Sequence, residues 1–203
     1  MRGLAPKARS VLAADSLYSG SMSRVSIIEE VEGVYTVLKL FRLRETPGVL
    51  FDVLTPDFVP RVDAIDRVIH QAGALSPGSV GEVERPWYMH SHQDDHLMVL
   101  AGKRYVELYS PIVGRMISFE VEPDCVTREG KVLCDTACML VWPHHVFHRI
   151  RSDAVMGSRS VNLATHHPGF DIHTNFNVHE LNVETGESRV IRKGSKDQHG
   201  LPE

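Results

Sequence analysis

From Val34 onward the sequence breaks into short runs of β-branched and aromatic residues, each ended by Gly, Pro or Ser. Strands are expected over residues 34–41, 49–54, 87–92, 96–100, 104–109, 116–121, 131–133, 138–142, 146–151, 160–164 and 175–181, with a hairpin turn at Ala101-Gly102-Lys103. Within 104–109, alternation puts Val106 and Leu108 on one face and Tyr105, Glu107 and Tyr109 on the other. No apolar stripe of helical period runs through the middle of the chain. Strands recurring every 8–12 residues or so imply an antiparallel sandwich or barrel.

At 203 residues, 42% of them hydrophobic, the chain suits one domain with a proper core. It divides into a peripheral arm (1–24), a β-domain (25–185) and a polar tail expected to fray (186–203). A short helical turn is expected at Val11-Leu12-Ala13-Ala14. The net charge of −4 offers no basic field for nucleic acid and no polybasic run for an acidic membrane. No apolar run approaches the roughly 18 residues of a membrane span, and the N-terminal residues lack the apolar core of a secretory signal. The expectation is a cytoplasmic protein whose three cysteines, Cys125, Cys134 and Cys138, are free thiols.

Histidine is the anomaly, with 12 in the chain and three within His90-Ser91-His92-Gln93-Asp94-Asp95-His96. On a strand, His90 and His92 would point to one face, as would Tyr88. A later cluster, Pro143-His144-His145-Val146-Phe147-His148, can close a coordination shell if the chain folds back. Imidazole nitrogens converging on one point suit a divalent transition metal, without sorting Fe, Mn, Ni, Zn and Cu. His166, His167, His173, His179 and His199 are expected to be ordinary loop or tail histidines, and His70 a core or rim histidine. Arg104 suits a substrate carboxylate, although a lone arginine on a strand more often faces solvent.

Residues 65–155 resemble the two motifs of the cupins, small jelly-roll β-barrels. The first motif, Gly-x5-His-x-His-x3-4-Glu-x6-Gly, is matched by His90, His92, a polar residue at 95 or 96, and Gly102. The second, Gly-x5-Pro-x-Gly-x2-His-x3-Asn, is matched by Pro143 and His148. The usual glutamate is absent. Counting forward from His92 puts His96 in its place; counting back from Gly102 puts Asp95 there, because the chain is one residue short of the template. The pleat admits only one of the two, and His96 is favoured. Glu84 stands at the leading glycine, His145 at the second motif's glycine and Ser152 at its asparagine, and His144 or His145 compete with His148.

The resemblance implies an all-β, single cupin-type antiparallel jelly-roll barrel with a short N-terminal extension. It implies one divalent transition metal ion held by His90, His92, His96 and His148, similar to the four-histidine subset. Tyr88, on the same strand parity as His90 and His92, is expected either to donate a proton or to line the pocket as a packed aromatic. The expected function is a metal-dependent enzyme acting on a small chelating keto, enol or hydroxy-acid substrate, dioxygenase chemistry first. The alternatives are a small-molecule-binding sensor, a metal-dependent isomerase or lyase, and a structural metal in an interaction domain. A homodimer is expected, since barrel edges and outer apolar faces need cover.

Overall fold

The computed structural model describes residues 9–10, 26–54, 59 and 61–198. Of the arm expected over 1–24 only Arg9–Ser10 falls within this set, and the turn expected at 11–14 and His199 lie outside it. Two antiparallel sheets face one another. The first runs, in spatial order, Arg9–Ser10, Ser26–Val31, Tyr35–Lys39, Cys138–Trp142, Gln93–Gly102, Ser158–His166, Ala64–His70. The second runs Lys131–Cys134, Cys125–Arg128, Arg115–Glu122, Arg104–Ser110, Phe147–Ser152, Trp87–Met89, Val178–Leu181, Ser188–Arg192, with Leu75–Ser76 also paired to Phe147–Ser152. A separate hairpin joins Phe41–Thr46 to Val49–Val53. Among the described residues, no helix is long and apolar enough to cross a membrane.

The core between the sheets comes from alternate positions of each strand. Leu97 and Val99 of the first sheet meet Val106, Leu108, Ile117, Phe119 and Val121 of the second, all nearly solvent-free. The intervening residues face outward. Met98, Val141 and Leu163 pack against a smaller cluster around Leu38, Leu40, Val59 and Met139 on the first sheet's outer face. The face of Val106 and Leu108 is the buried one, and Tyr109 on the opposite face packs with Trp87 and Phe147 in a cluster outside the second sheet.

Three local expectations are corrected. Gly102 does not sit in a hairpin: the strands on either side of it belong to different sheets, so this is a corner where the chain crosses the barrel. Its φ is +71°, and a Cβ there would stand 2.0 Å from the Gly157 carbonyl oxygen, so only glycine fits. Cys134 and Cys138 are not free thiols. The short link between strands Lys131–Cys134 and Cys138–Trp142 turns both side chains inward and joins them in a disulfide, with only Cys125 free. The polar segment after 186 carries the strand Ser188–Arg192, paired to Val178–Leu181, and a 3-10 turn at Gly194–Lys196.

Candidate functional site

The strand that begins at Trp87 stops at Met89. His90 follows it, tied down where the His145 amide donates to the His90 carbonyl at 2.7 Å, and the chain then bends at Ser91 and His92 before the strand Gln93–Gly102 begins. This bend breaks the alternation on which the pairing of His90 with His92 depended. In the new strand, Gln93, Asp95, Leu97 and Val99 are buried inward, while Asp94, His96 and Met98 take the other face. His148 arrives from Phe147–Ser152, where it pairs with Leu108 on one side and Tyr88 on the other.

Three groups meet inside the barrel. His90 Nε2 stands 3.3 Å from Asp95 Oδ2, His148 Nε2 stands 4.0 Å from the same oxygen, and the two imidazoles lie with centroids 4.8 Å apart. The other carboxylate oxygen, Asp95 Oδ1, accepts from Gln93 Nε2 and from Asn162 Nδ2, both at 2.8 Å. Asn175 Nδ2 donates to Gln93 Oε1 at 2.9 Å, and the Asn175 carbonyl accepts from His90 Nδ1 at 2.6 Å. Asp95 Oδ2 itself has no hydrogen bond and is left facing the two imidazoles.

Charge settles unevenly over this trio. Burial opposes the charge on Asp95, but His90, His148 and Asn162 outweigh it and hold the carboxyl well below the usual carboxylate range. Burial likewise opposes a charge on His90, yet the Asp95 carboxylate and the Asn175 carbonyl raise its pKa above the ordinary value. His148 has no such compensation: burial, then the charge on His90, push it down to about 4. The arrangement thus favours an imidazolium at His90 paired to the Asp95 carboxylate, beside a His148 kept neutral, whose Nδ1 faces the Val146 carbonyl at 3.4 Å and whose Nε2 is free to accept.

These residues line a cavity of about 180 Å³. Asp66, Val68 and His70 from the edge strand of the first sheet and Ser76, Tyr88 and Phe176 on the second-sheet side are half-buried and form its mouth. His90, Asp95, His148, Leu97 and Arg104 are buried and form its floor. Tyr88 lines the cavity with its ring centroid 5.9 Å from that of His148; burial, then the charge on Asp197, raise its pKa.

The four-histidine set is not assembled. His96 is buried on the opposite face of its strand, where Nδ1 bonds the Leu163 carbonyl at 2.9 Å. His92 lies in the bend against Gly169, and its carbonyl accepts from the His167 amide. Asp95 occupies the inward position for which His96 was favoured. His144 does not replace His148: it bonds Asp94 at 2.8 Å, with His167 2.9 Å from the same carboxylate, a cluster that ties three segments together behind the site. His145 adopts φ +65°, the left-handed backbone that explains why the motif prefers glycine there. Gln93, Asn162 and Asn175 were not expected at the site. Asn162 reaches Asp95 across 67 residues, and Asn175 reaches Gln93 across 82 and His90 across 85, separations no local pattern reports.

The inner donor set does fit a divalent transition metal. Two imidazole nitrogens and an unpartnered carboxylate oxygen lie within 4.8 Å of one another, a donor set of the types such an ion takes but wider than the spacing of ligands that share one. An ion there would be held by His90, Asp95 and His148, without His92 or His96, and would polarise a substrate oxygen.

No protein-family model matches the chain, and no curated protein matches it either. Solved structures do. A dTDP sugar isomerase from Desulfovibrio desulfuricans is 16% identical over 72% of this chain and 85% of that one, with a TM-score of 0.50. A sugar 3,4-ketoisomerase from Thermoanaerobacterium thermosaccharolyticum, in complex with TDP, is 12% identical over 70% and 85%, with a TM-score of 0.49. A dTDP-6-deoxy-D-glucose-3,5-epimerase from Legionella pneumophila, in complex with dTDP-4-keto-L-rhamnose, is 16% identical over 74% and 78%, with a TM-score of 0.49.

The fold is a cupin-type jelly roll. The functional expectation is corrected by the same comparison: the structures it resembles are sugar isomerases and epimerases rather than dioxygenases, and the sensor and metal-dependent isomerase or lyase alternatives gain no better support.

Proposed function

We propose that the chain is an acid–base enzyme that moves a proton at a carbon next to a carbonyl group, in the manner of a sugar epimerase or keto-isomerase. The observation that carries this is the trio itself: two imidazoles on one cavity floor, one paired to a buried carboxylate and the other unpaired. Neighbouring titratable groups pushed in opposite directions are the arrangement that assigns acid and base. His148 Nε2 takes the proton from carbon. The His90 imidazolium, held by Asp95 at a long 3.3 Å, shares Nε2–H with the carbonyl oxygen and stabilises the enolate. Return of the proton from His148 to the same carbon exchanges its hydrogen. Return to the former carbonyl carbon of the enediol, while the neighbouring hydroxyl gives its proton to His90, yields the keto-isomer, and an epimer requires a second proton donor on the opposite face.

The small-molecule substrates to assay first are dTDP-4-keto sugars, the ligand class of the similar folds. In D₂O, deuterium is expected to enter the substrate next to the carbonyl, read by NMR; its absence across keto sugars and keto acids overturns the reading. The pH profile follows from the two histidines. kcat/KM is expected to fall on the acid side near pH 4, as His148 gains a proton. It is expected to fall again on the alkaline side, above the ordinary histidine value of about 6.5, as His90 loses its proton. A single limb near 6.5 would remove the division of labour.

We also propose that a second copy of the chain covers the hairpin Phe41–Thr46/Val49–Val53, whose Leu43, Val49, Leu50 and Phe51 are each more than half exposed. Light scattering is expected to give twice the chain mass at micromolar concentration. A monomer there counts against it.

A further inference from the structure

Arg104 is a charged feature of the cavity that proton transfer at His90 and His148 leaves unused. It lies on the floor with 2% of its surface exposed, the deepest burial of any charged group in that lining apart from Asp95. Its partners are neutral: Nε donates to Ser158 Oγ at 3.1 Å and one terminal nitrogen donates to the Val68 carbonyl at 3.4 Å. No carboxylate offsets its charge, and burial alone pushes its pKa down to about 10, which still leaves it a cation at neutral pH. A guanidinium buried without a counter-charge is strongly disfavoured unless something pairs with it. Planar, forked donors of this kind match carboxylate and phosphate oxygens. Two further cavity-lining atoms, His70 Nδ1 and Asn162 Oδ1, are buried without a hydrogen-bond partner. The floor is thus built for a polar ligand that reaches past the reacting groups.

We propose that Arg104 anchors an anionic group, a carboxylate or a phosphate, carried by the substrate itself at its inner end. This rests on the acid–base reading of the cavity and names the substrate class. The spacing follows from the register. Arg104 pairs with Ser152, four residues beyond His148 on the same strand, roughly 13 Å of backbone, part of which the arginine side chain spans. The anion therefore sits several bonds from the carbon that His148 attacks. The cavity, of about 180 Å³ and open at its mouth, has room on its floor for a sugar acid or the reacting end of a sugar phosphate, with any nucleotide moiety extending toward the mouth.

Thermal-shift and calorimetric binding with matched pairs test this: D-glucuronate against D-glucose, and D-fructose 6-phosphate against D-fructose. The charged member is expected to bind at least tenfold more tightly, with the carboxylate and phosphate arms showing which anion is preferred. Arg104→Met is expected to abolish that preference and Arg104→Lys to retain part of it, which loss of packing alone would not do. Equal binding of charged and uncharged partners by the unmodified protein overturns the proposal, even where neither variant folds. So does a folded Arg104→Met that keeps the preference. Deuterium wash-in confined to uncharged keto sugars would leave the acid–base reading standing and remove Arg104 from it. Charged-ligand preference with no wash-in for any substrate would do the reverse.

Discussion

Replacing His148 with alanine is expected to lower kcat for proton exchange by about 10²–10⁴-fold, the usual worth of a positioned general base. Of the two imidazoles, His148 is the one with neither a carboxylate at hydrogen-bonding distance nor a strong backbone bond. Its Nδ1 contact to Val146 is 3.4 Å and its Nε2 is 4.0 Å from Asp95. Removing it therefore takes away reactivity and few supporting bonds, so KM is expected to change little and circular dichroism to stay native. His96→Gln is the matched control, because His96 is as buried but sits on the other face of its strand, bonded to Leu163. Wild-type wash-in by His148→Ala, or equal losses in both variants, would dismiss His148 as the base.

Asp95→Asn carries the largest expected cost in stability. The asparagine can still accept from Gln93 and Asn162 through Oδ1, so the substitution isolates the charge. What it removes is the counter-ion of a fully buried His90. Breaking a buried ion pair on one side costs about 3–5 kcal/mol, and for a chain this long each kcal/mol moves Tm by roughly 2–4 °C. A fall of about 6–20 °C at neutral pH follows. The sign with pH is fixed by the depressed carboxyl. The Asp95 contribution is fully present above the ordinary aspartate pKa and is lost as pH falls through the lowered, folded-state value. The difference between the two proteins should therefore shrink under strong acid, and also as pH rises through the raised His90 pKa, where the charge that Asp95 balances is lost. His90→Gln in the same background is expected to recover part of the loss, since the unpaired imidazolium goes with it. A Tm within 2 °C of wild type would mean that the pair contributes little.

The barrel was legible because its evidence is periodic. Val106 and Leu108 announce an inward face by alternation alone, and the turn residues cut the strands to the right lengths. The site was half legible. His90 and His148 stand out as unusual residues in unusual clusters, and the structure brings them together. The rest failed at one place, the bend at Ser91 and His92. Alternation holds only along an unbroken strand, and nothing local marks His90 as the residue where the strand has already ended. His92 was placed by that rule and His96 by counting forward from it along the motif, whereas choosing Asp95, which counting back from Gly102 offers, needed the register of the following strand, fixed by Leu97 and Val99 in the core. Arg104 shows the opposite failure. Its depth depends on the cavity that Asp66, His70 and Asn162 leave open beside it, a property of the folded barrel and of no single segment.

The strand Gln93–Gly102 has a mixed allegiance at its start, with Asp95 toward the cavity and His96 away from it. Leu97 is pinned by the oil-like interior it enters, so the two residues before it are the ones free to change sides. One extra amino acid between His96 and Leu97 would rotate them together, carrying the imidazole inward and the carboxylate out. The distance between a trio with a carboxylate and an all-imidazole pocket is then a single codon. Relatives of this barrel could cross it by insertion, without altering any residue that does chemistry.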